Sequence, residues 1–491
     1  MCSGVVLVRR AGFLLIWVVW ICVVASPGWA VPRFGRPGAY TVDGAPVGIR
    51  AATIDSKSGR DLVTANEAGV EGPSLSILIN RGNGSFFPQE PMTVNAAKYI
   101  VQAIASGDFN ADGRDDLAVA VDDISVFPPR AAVLVYLNTG SGDFAEPVDV
   151  RLSGFFPRAI EAADVTGDGA LDLVVVHAQS GAPAAGLVSL LSGQRSGGTP
   201  TGAFSVTESS PVGSTPSALS VGDLDGDTHL DVAVTDQGGG AVYLLYGTGM
   251  AGDALAPPVE VMAGATPIAA LIDALPGAVL PQLLVGTRSG GKLLRFAQTA
   301  PRVFAAPSEQ RIGFVPVTMG LAELTGDDVE DFVLLSALGA DLWVGAADGS
   351  FNFGESIIAG DDALSALTLA DLNGDATIDV AASATTQDRV VVALNGADVP
   401  LTPSPTPTIT PTSLRTATAS PTPTGDAGAC AGDCDGDAQV SINELIQGVN
   451  IALGNVAVAS CAAFDRDGNG QVTVNELIAA VNNALGGCPS A

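Results

Sequence analysis

Residues 107–121 read GDFNADGRDDLAVAV. Asp108, Asn110, Asp112 and Asp116 place oxygen-bearing side chains at loop positions one, three, five and nine, and an apolar run follows at once. The stretch recurs. ADVTGDGALDLVVV begins at Ala163, GDLDGDTHLDVAV at Gly222, AELTGDDVEDFVLL at Ala322 and ADLNGDATIDVAAS at Ala370. Two weaker copies fill the gaps. One, from Ala52, has a shortened loop containing Lys57, and the other, from Ala270, has lost nearly all its acids. The loops start at Asp55, Asp108, Asp164, Asp223, Asp273, Glu323 and Asp371, in steps of 53, 56, 59, 50, 50 and 48 residues. A period near fifty marks a repeat architecture.

Each period holds the same order of segments. A short apolar strand (AIEAADV) leads into the acidic loop, a second strand (LDLVVV) leaves it, and a third follows (GLVSLLS, VLVYLN, DLWVGA). A Gly/Asn-rich turn then leads to a fourth segment built on Phe and Val, as in GDFAEPVDV and GSFNFGESII. Four strands per repeat and seven repeats predict an all-β protein, a seven-bladed β-propeller over residues 31–398. A β-solenoid is the alternative, with coils that are usually shorter. The seventh repeat lacks a fourth strand, whereas residues 33–44 (RFGRPGAYTVDG) form a fourth segment without a blade. The N-terminal segment is therefore expected to complete the last blade and close the ring.

Composition bounds the rest. The 491 residues exceed one ordinary core. A net charge of −30 argues against a nucleic-acid partner, which needs a positive surface. Residues 1–30 read as a signal peptide: Arg9 and Arg10, an apolar stretch from Ala11 to Val24, and Gly28-Trp29-Ala30 before cleavage. An uncleaved anchor is the other reading; after cleavage no membrane span is expected. Residues 399–428 are rich in Pro, Thr and Ser, a linker.

Residues 429–489 contain an internal repeat with an offset of 32: DCDGDAQVSINELIQGVNIALG from Asp433 and DRDGNGQVTVNELIAAVNNALG from Asp465. Each is a loop followed by a helical apolar face, so a small α-helical tandem domain is expected. The loops match the EF-hand spacing, with Asp433, Asp435, Asp437, the Gln439 carbonyl and Glu444 in one, and Asp465, Asp467, Asn469, the Gln471 carbonyl and Glu476 in the other. Ala438 stands where Gly is usual. Cys430, Cys434, Cys461 and Cys488 are the cysteines left after signal removal, and two disulfides are expected. A pseudo-two-fold packing of the two units favours Cys430–Cys488 and Cys434–Cys461.

The physical reason for the acidic pattern is a cation. Calcium takes about six to eight oxygens at roughly 2.3–2.6 Å. Without it, carboxylates so close repel and raise one another's pKa. A plain Asp-Gly turn needs no acids at four fixed positions. Candidate ligands are Asp108, Asn110, Asp112 and Asp116; Asp164, Thr166, Asp168 and Asp172; Asp223, Asp225, Asp227 and Asp231; Glu323, Thr325, Asp327 and Asp331; and Asp371, Asn373, Asp375 and Asp379. Thr166 and Thr325 weaken their sites, and the loops at Asp55 and Asp273 are expected to be empty.

On these loops, and on Phe-Gly-like segments such as GSFNFGE, the blades resemble FG-GAP/VCBS repeats, the propeller repeats of integrin α-subunit heads and many bacterial surface proteins. The resemblance implies the fold and calcium, not the ligand. The tail's loop-then-helix pairs resemble dockerin modules, which plug enzymes or surface proteins into cohesin partners. It departs from them in ending its loops with Glu, in Ile442-Asn443 and Val474-Asn475 at the contact positions, and in its cysteines. No catalytic set is evident. His177 ends an apolar run as a satisfied, partly buried side chain, and His229 supplies only a loop carbonyl. The expectation is a secreted or cell-surface calcium-binding protein that recognises a protein or polysaccharide, with a tail for assembly, cohesin-like in its partner. A polysaccharide-degrading lyase or hydrolase and a purely structural surface protein are the alternatives.

Overall fold

The computed structural model describes residues 34–396, apart from 56–58, 70–71, 96–97, 141, 180–184, 251, 265, 274–279, 347–348 and 360–362. It also describes residues 433–434, 440, 444–445, 447, 451, 460–464, 472, 477, 480 and 483. The signal peptide and the Pro/Thr linker lie outside these residues. The chain divides into two compact units, residues 1–401 and 402–491.

The first unit is an all-β, seven-bladed propeller. Its blades are antiparallel sheets, six of four strands and one of five, and two further small hairpins lie before the fourth strands of blades 2 and 5. The innermost strands are Pro46–Ala52, Tyr99–Gly107, Phe155–Ala163, Pro216–Gly222, Pro267–Asp273, Pro316–Ala322 and Leu364–Ala370. Each packs against the innermost strand of the next blade, and the last against the first, so the ring closes. Four of these strands begin with proline, which has no N–H to waste at a strand start. A register shift near the start of each inner strand marks a bulge.

Closure follows the expected route. Gly38–Thr41 pairs antiparallel with Arg389–Ala393 as the fourth strand of blade 7. The Phe segments sort differently from the sequence reading. In blade 6, Phe351–Ala359 is the fourth strand itself. In blade 2, Asp143–Phe144 belongs to a small hairpin with Asn138–Gly140, and the fourth strand is Val148–Arg151.

The core is not at the centre of the ring. Seven apolar clusters lie at the seven seams between blades. The seam between blades 7 and 1, for example, packs Ala370, Leu372 and Val390 against Ile49, Leu62 and Phe86. Second strands such as Asp116–Asp123 and Asp331–Ser336 are covered on both faces and buried along their whole length. That is why they read as continuous apolar runs rather than alternating ones.

In the second unit, Cys434 and Cys461 form a disulfide, one of the two pairings expected. Cys461 also packs with Ile451, Phe464, Val472 and Ala480, and Leu445 and Leu477 of the two repeats border the cluster. The other expected pair, Cys430 and Cys488, and most of the expected helical faces lie outside the described residues.

Candidate metal centre

Each acidic loop joins the first strand of a blade to the second, so all of them open on one face of the disc. The curl is common to the five full loops. Position four is left-handed in each (Ala111, Gly167, Gly226, Gly326, Gly374), and so is position six (Gly113, Gly169, Thr228, Asp328, Ala376). Glycine suits this backbone; Thr228, β-branched, adopts it at φ +74° against its steric preference.

The acids hold this curl. The carboxylate at position one accepts several backbone N–H groups from later in the loop: Asp112 and Gly113 give theirs to Asp108, Asp168 and Gly169 to Asp164, and Gly374 and Ala376 to Asp371. Asp223 accepts from Gly226, Asp227 and Thr228. Glu323 takes Thr325, Gly326 and Asp327 on one oxygen. The acid at position five accepts the N–H two residues on, in Asp112, Asp168, Asp227, Asp327 and Asp375 alike. At position three, Asn110, Asp225 and Asn373 each accept the N–H of position five on Oδ1. Thr166 gives its N–H and its hydroxyl to Asp172, and the Thr325 hydroxyl serves Glu323 and Asp331 of its own loop.

Position nine does more than close a ligand shell. Asp116, Asp172, Asp231, Asp331 and Asp379 are fully buried at the head of the second strand. Asp116 accepts the N–H of Phe109 on one oxygen and that of Asn138 on the other, at 3.0 and 2.7 Å. The same bridge from loop to third-strand end is built by Asp231 (Leu224, Gly247), Asp331 (Leu324, Gly345) and Asp379 (Leu372, Asn395). Asp172 makes it with Thr166 and Gly193. In blade 1, where the loop is shortened, Asp61 still takes Ile54, Asp55 and Asn80. The latch therefore outlives the ligand pattern.

Burial pushes these latch carboxyls up: Asp116 and Asp231 to about 6, Asp379 to about 7. Their two backbone N–H groups pull the other way, and the remaining loop acids raise them again, Asp112 and Asp108 beside Asp116. This is the charge crowding that a cation relieves. The Asp223, Asp225 and Asp227 carboxylates bring one oxygen each within 4.8 Å of one another, a hard-oxygen set that could hold a divalent metal.

Neighbouring blades cap the loops of blades 1, 2, 4, 6 and 7, which the sequence reading missed. Asn138 of blade 2 donates its amide to the Ile54 carbonyl of blade 1 at 2.9 Å. Asn80 of blade 1 does so to Leu372 of blade 7, Asn395 of blade 7 to Leu324 of blade 6, and Gln298 of blade 5 to Leu224 of blade 4. Between blades 2 and 3 a backbone group serves, the N–H of Gly202 to the Phe109 carbonyl. The signal was present in the sequence: Asn at the end of the third strand in LIN, YLN and ALN.

In the tail, Glu444 is buried and accepts the Cys434 N–H at 2.7 Å. A position-twelve acid thus seizes the position-two N–H, as the position-nine acids do in the blades. Asp435, Asp437 and Gln439, and all of Asp465, Asp467, Asn469, Gln471 and Glu476, lie outside the described residues. His177 is buried, its Nε2 at 2.8 Å from Ser189 Oγ, and burial holds it below the usual imidazole range.

The repeats match known models. Residues 58–119 and 121–175 match the FG-GAP-like repeat, and residues 215–245 the FG-GAP repeat. Integrin alpha-4 of Xenopus laevis is 30% identical over 215 residues, 41% of this chain; the match spans 18% of that relative's length. A solved structure of BBS1N in complex with ARL6DN, soaked with lead, superposes with a TM-score of 0.50. It is 14% identical and covers 76% of this chain and 98% of that one, a likeness of fold alone. The protein is thus a seven-bladed β-propeller whose repeats over residues 58–175 and 215–245 are similar to FG-GAP repeats, and part of which is similar in sequence to an integrin α-subunit.

Proposed function

We propose that this is an extracellular calcium-stabilised recognition protein, which binds a protein or polysaccharide through the propeller face opposite its acidic loops. The observation that carries the reading is the distribution of exposed apolar side chains. The connections between second and third strands, and those between blades, lie on the face away from the acidic loops. There Ile124, Val126 and Phe127 project from blade 2, with Phe127 98% exposed. Phe156 stands at the start of blade 3, with Arg158 over its ring. Across the ring, Phe314, Val315 and Leu338 are also exposed. Aromatic and arginine side chains on a rigid, loop-built surface are what binding hot spots are made of.

Calcium fits the opposite face. It would be held by the position-one, -three and -five side chains, with a backbone carbonyl at position seven and the latch acid at position nine. The ions fix loops that the next blade grips, and so help keep the seams beside the full loops in register. The Cys434–Cys461 tail is a calcium-binding assembly module in this reading, with a cohesin-like partner. The similarity to integrin alpha-4 supports an extracellular, adhesive role.

The test is retention of the full chain on immobilised polysaccharides and on surface-coated proteins, in calcium and in chelator. Phe127→Ser removes an exposed ring without touching the core, and it should abolish retention while leaving the melting temperature unchanged. Undiminished retention of that variant would place the binding surface elsewhere.

A further inference from the structure

The acidic loop of blade 4 carries a contact that the other full loops lack. Arg302, at the turn of the Gln298–Ala300/Val303–Phe304 hairpin of blade 5, reaches into it. Its Nε donates to Asp225 Oδ2, and an Nη donates to Asp227 Oδ2 at 3.3 Å. On both acids the other oxygen, Oδ1, is already committed to a backbone N–H, of Asp227 and His229. The guanidinium therefore takes the two oxygens left for an ion. Of the three acids that form the candidate metal triad, two are occupied this way.

Arg302 is held in place from several sides. Its Cζ lies 4.5 Å from the centre of the buried Tyr246 ring. Its backbone is left-handed, φ +65°, a conformation non-glycine residues adopt at a cost. Its N–H donates to Gln298 Oε1 at 2.7 Å, and the Gln298 amide in turn donates to the Leu224 and Pro281 carbonyls. By contrast, Asp112 and Asp168 meet Arg114 and Arg195 of their own blades.

We propose that Arg302 is a built-in cation for the blade-4 loop, which occupies the place of a divalent ion and competes with it. A divalent ion among carboxylate oxygens within 4.8 Å of one another leaves no room for a second positive charge on the same atoms. Loading the ion requires the guanidinium to leave, and this frees the tip of the blade-5 hairpin from blade 4. The seam between blades 4 and 5 is then held by a protein cation that crosses from one blade to the other, whereas the arginines at the loops of Asp108 and Asp164 come from their own blades. The inference rests on the reading that the other full loops bind calcium.

The experiment is equilibrium dialysis of the full chain against buffered free calcium, with bound calcium per chain read by atomic emission. Arg302→Gln should hold one more ion than the natural chain, and Arg302→Gln/Asp227→Asn should lose that gain. Asp225→Asn alone should leave the count of the natural chain unchanged, which tests the idea without relying on the arginine variant to fold. If Asp225→Asn loses an ion, or Arg302→Gln gains none while the natural chain binds calcium, only this inference falls. Calcium absent from every variant would overturn the calcium reading and this inference together.

Discussion

Asn138 offers the sharpest test of how the blades are joined. Its side chain is 2% exposed and makes three hydrogen bonds. Nδ2 donates to the Ile54 carbonyl of blade 1 at 2.9 Å and to the Asp115 carbonyl at 3.1 Å, and Oδ1 accepts the Gly140 N–H at 2.8 Å. Asn138→Ala removes all three but keeps the backbone bond from Asn138 N to Asp116 Oδ1. At about 1 kcal/mol net for each buried hydrogen bond, the loss is about 3 kcal/mol. In a propeller of this size that corresponds to a fall of about 4 °C in its transition. Asn138→Asp keeps the shape and the acceptor but sets a carboxylate against two carbonyls, so at neutral pH it should cost at least as much. Thermal melts followed by near-ultraviolet circular dichroism in saturating calcium give the answer. Asn352→Ala, exposed on the outer strand Phe351–Ala359, serves as the neutral control. A shift below about 1 °C for Asn138→Ala, and equally for the matching Asn80→Ala, would refute the claim that these amides staple the blades.

Other expectations follow from the loops and the inner strands. Chelation should lower the melting temperature of propeller and tail alike, each site losing about 2.7 kcal/mol of stability relative to calcium at 100 times its Kd; unchanged propeller melting would refute the calcium account. Thr228→Gly relieves a β-branched residue at φ +74° and should stabilise by about 0.5–1 kcal/mol, which urea titration would register as a higher midpoint. Glu161 sits on the inner strand of blade 3, and burial raises it to about 7 despite the opposing Arg50. A carboxyl raised on folding binds its proton more readily in the folded chain, so stability should fall as pH rises from about 4.5 to 7. Glu161→Gln should flatten that slope and gain on the order of 1–2 kcal/mol at pH 8 after solvent screening; parallel pH profiles for the two chains would contradict it.

The ring, its blade count and its closure were legible from local pattern, because each blade repeats one chemistry. An acid at position nine heads a second strand whose continuous apolar run, LAVAV or LVVV, announces burial on both faces. A missing fourth strand at one end and an orphan segment at the other predicted the pairing of Gly38–Thr41 with Arg389–Ala393. The loop oxygens were equally legible, since their spacing is local.

Contacts between blades were not legible, because they join residues that local spacing does not relate. Arg302 and Asp225 are 77 residues apart, and Asn80 and Leu372 are 292 apart. The sequence by itself determined how each blade is made and where its acids stand. The tertiary structure decided that the core lies in the seams and that the acid at position nine latches the backbone of loop and third strand. It also decided that one acidic loop already holds a positive charge from its neighbour. The physical reason is that a repeat encodes its own strands and turns, whereas the partner of a buried donor or a guanidinium is set only when the ring brings the next blade alongside.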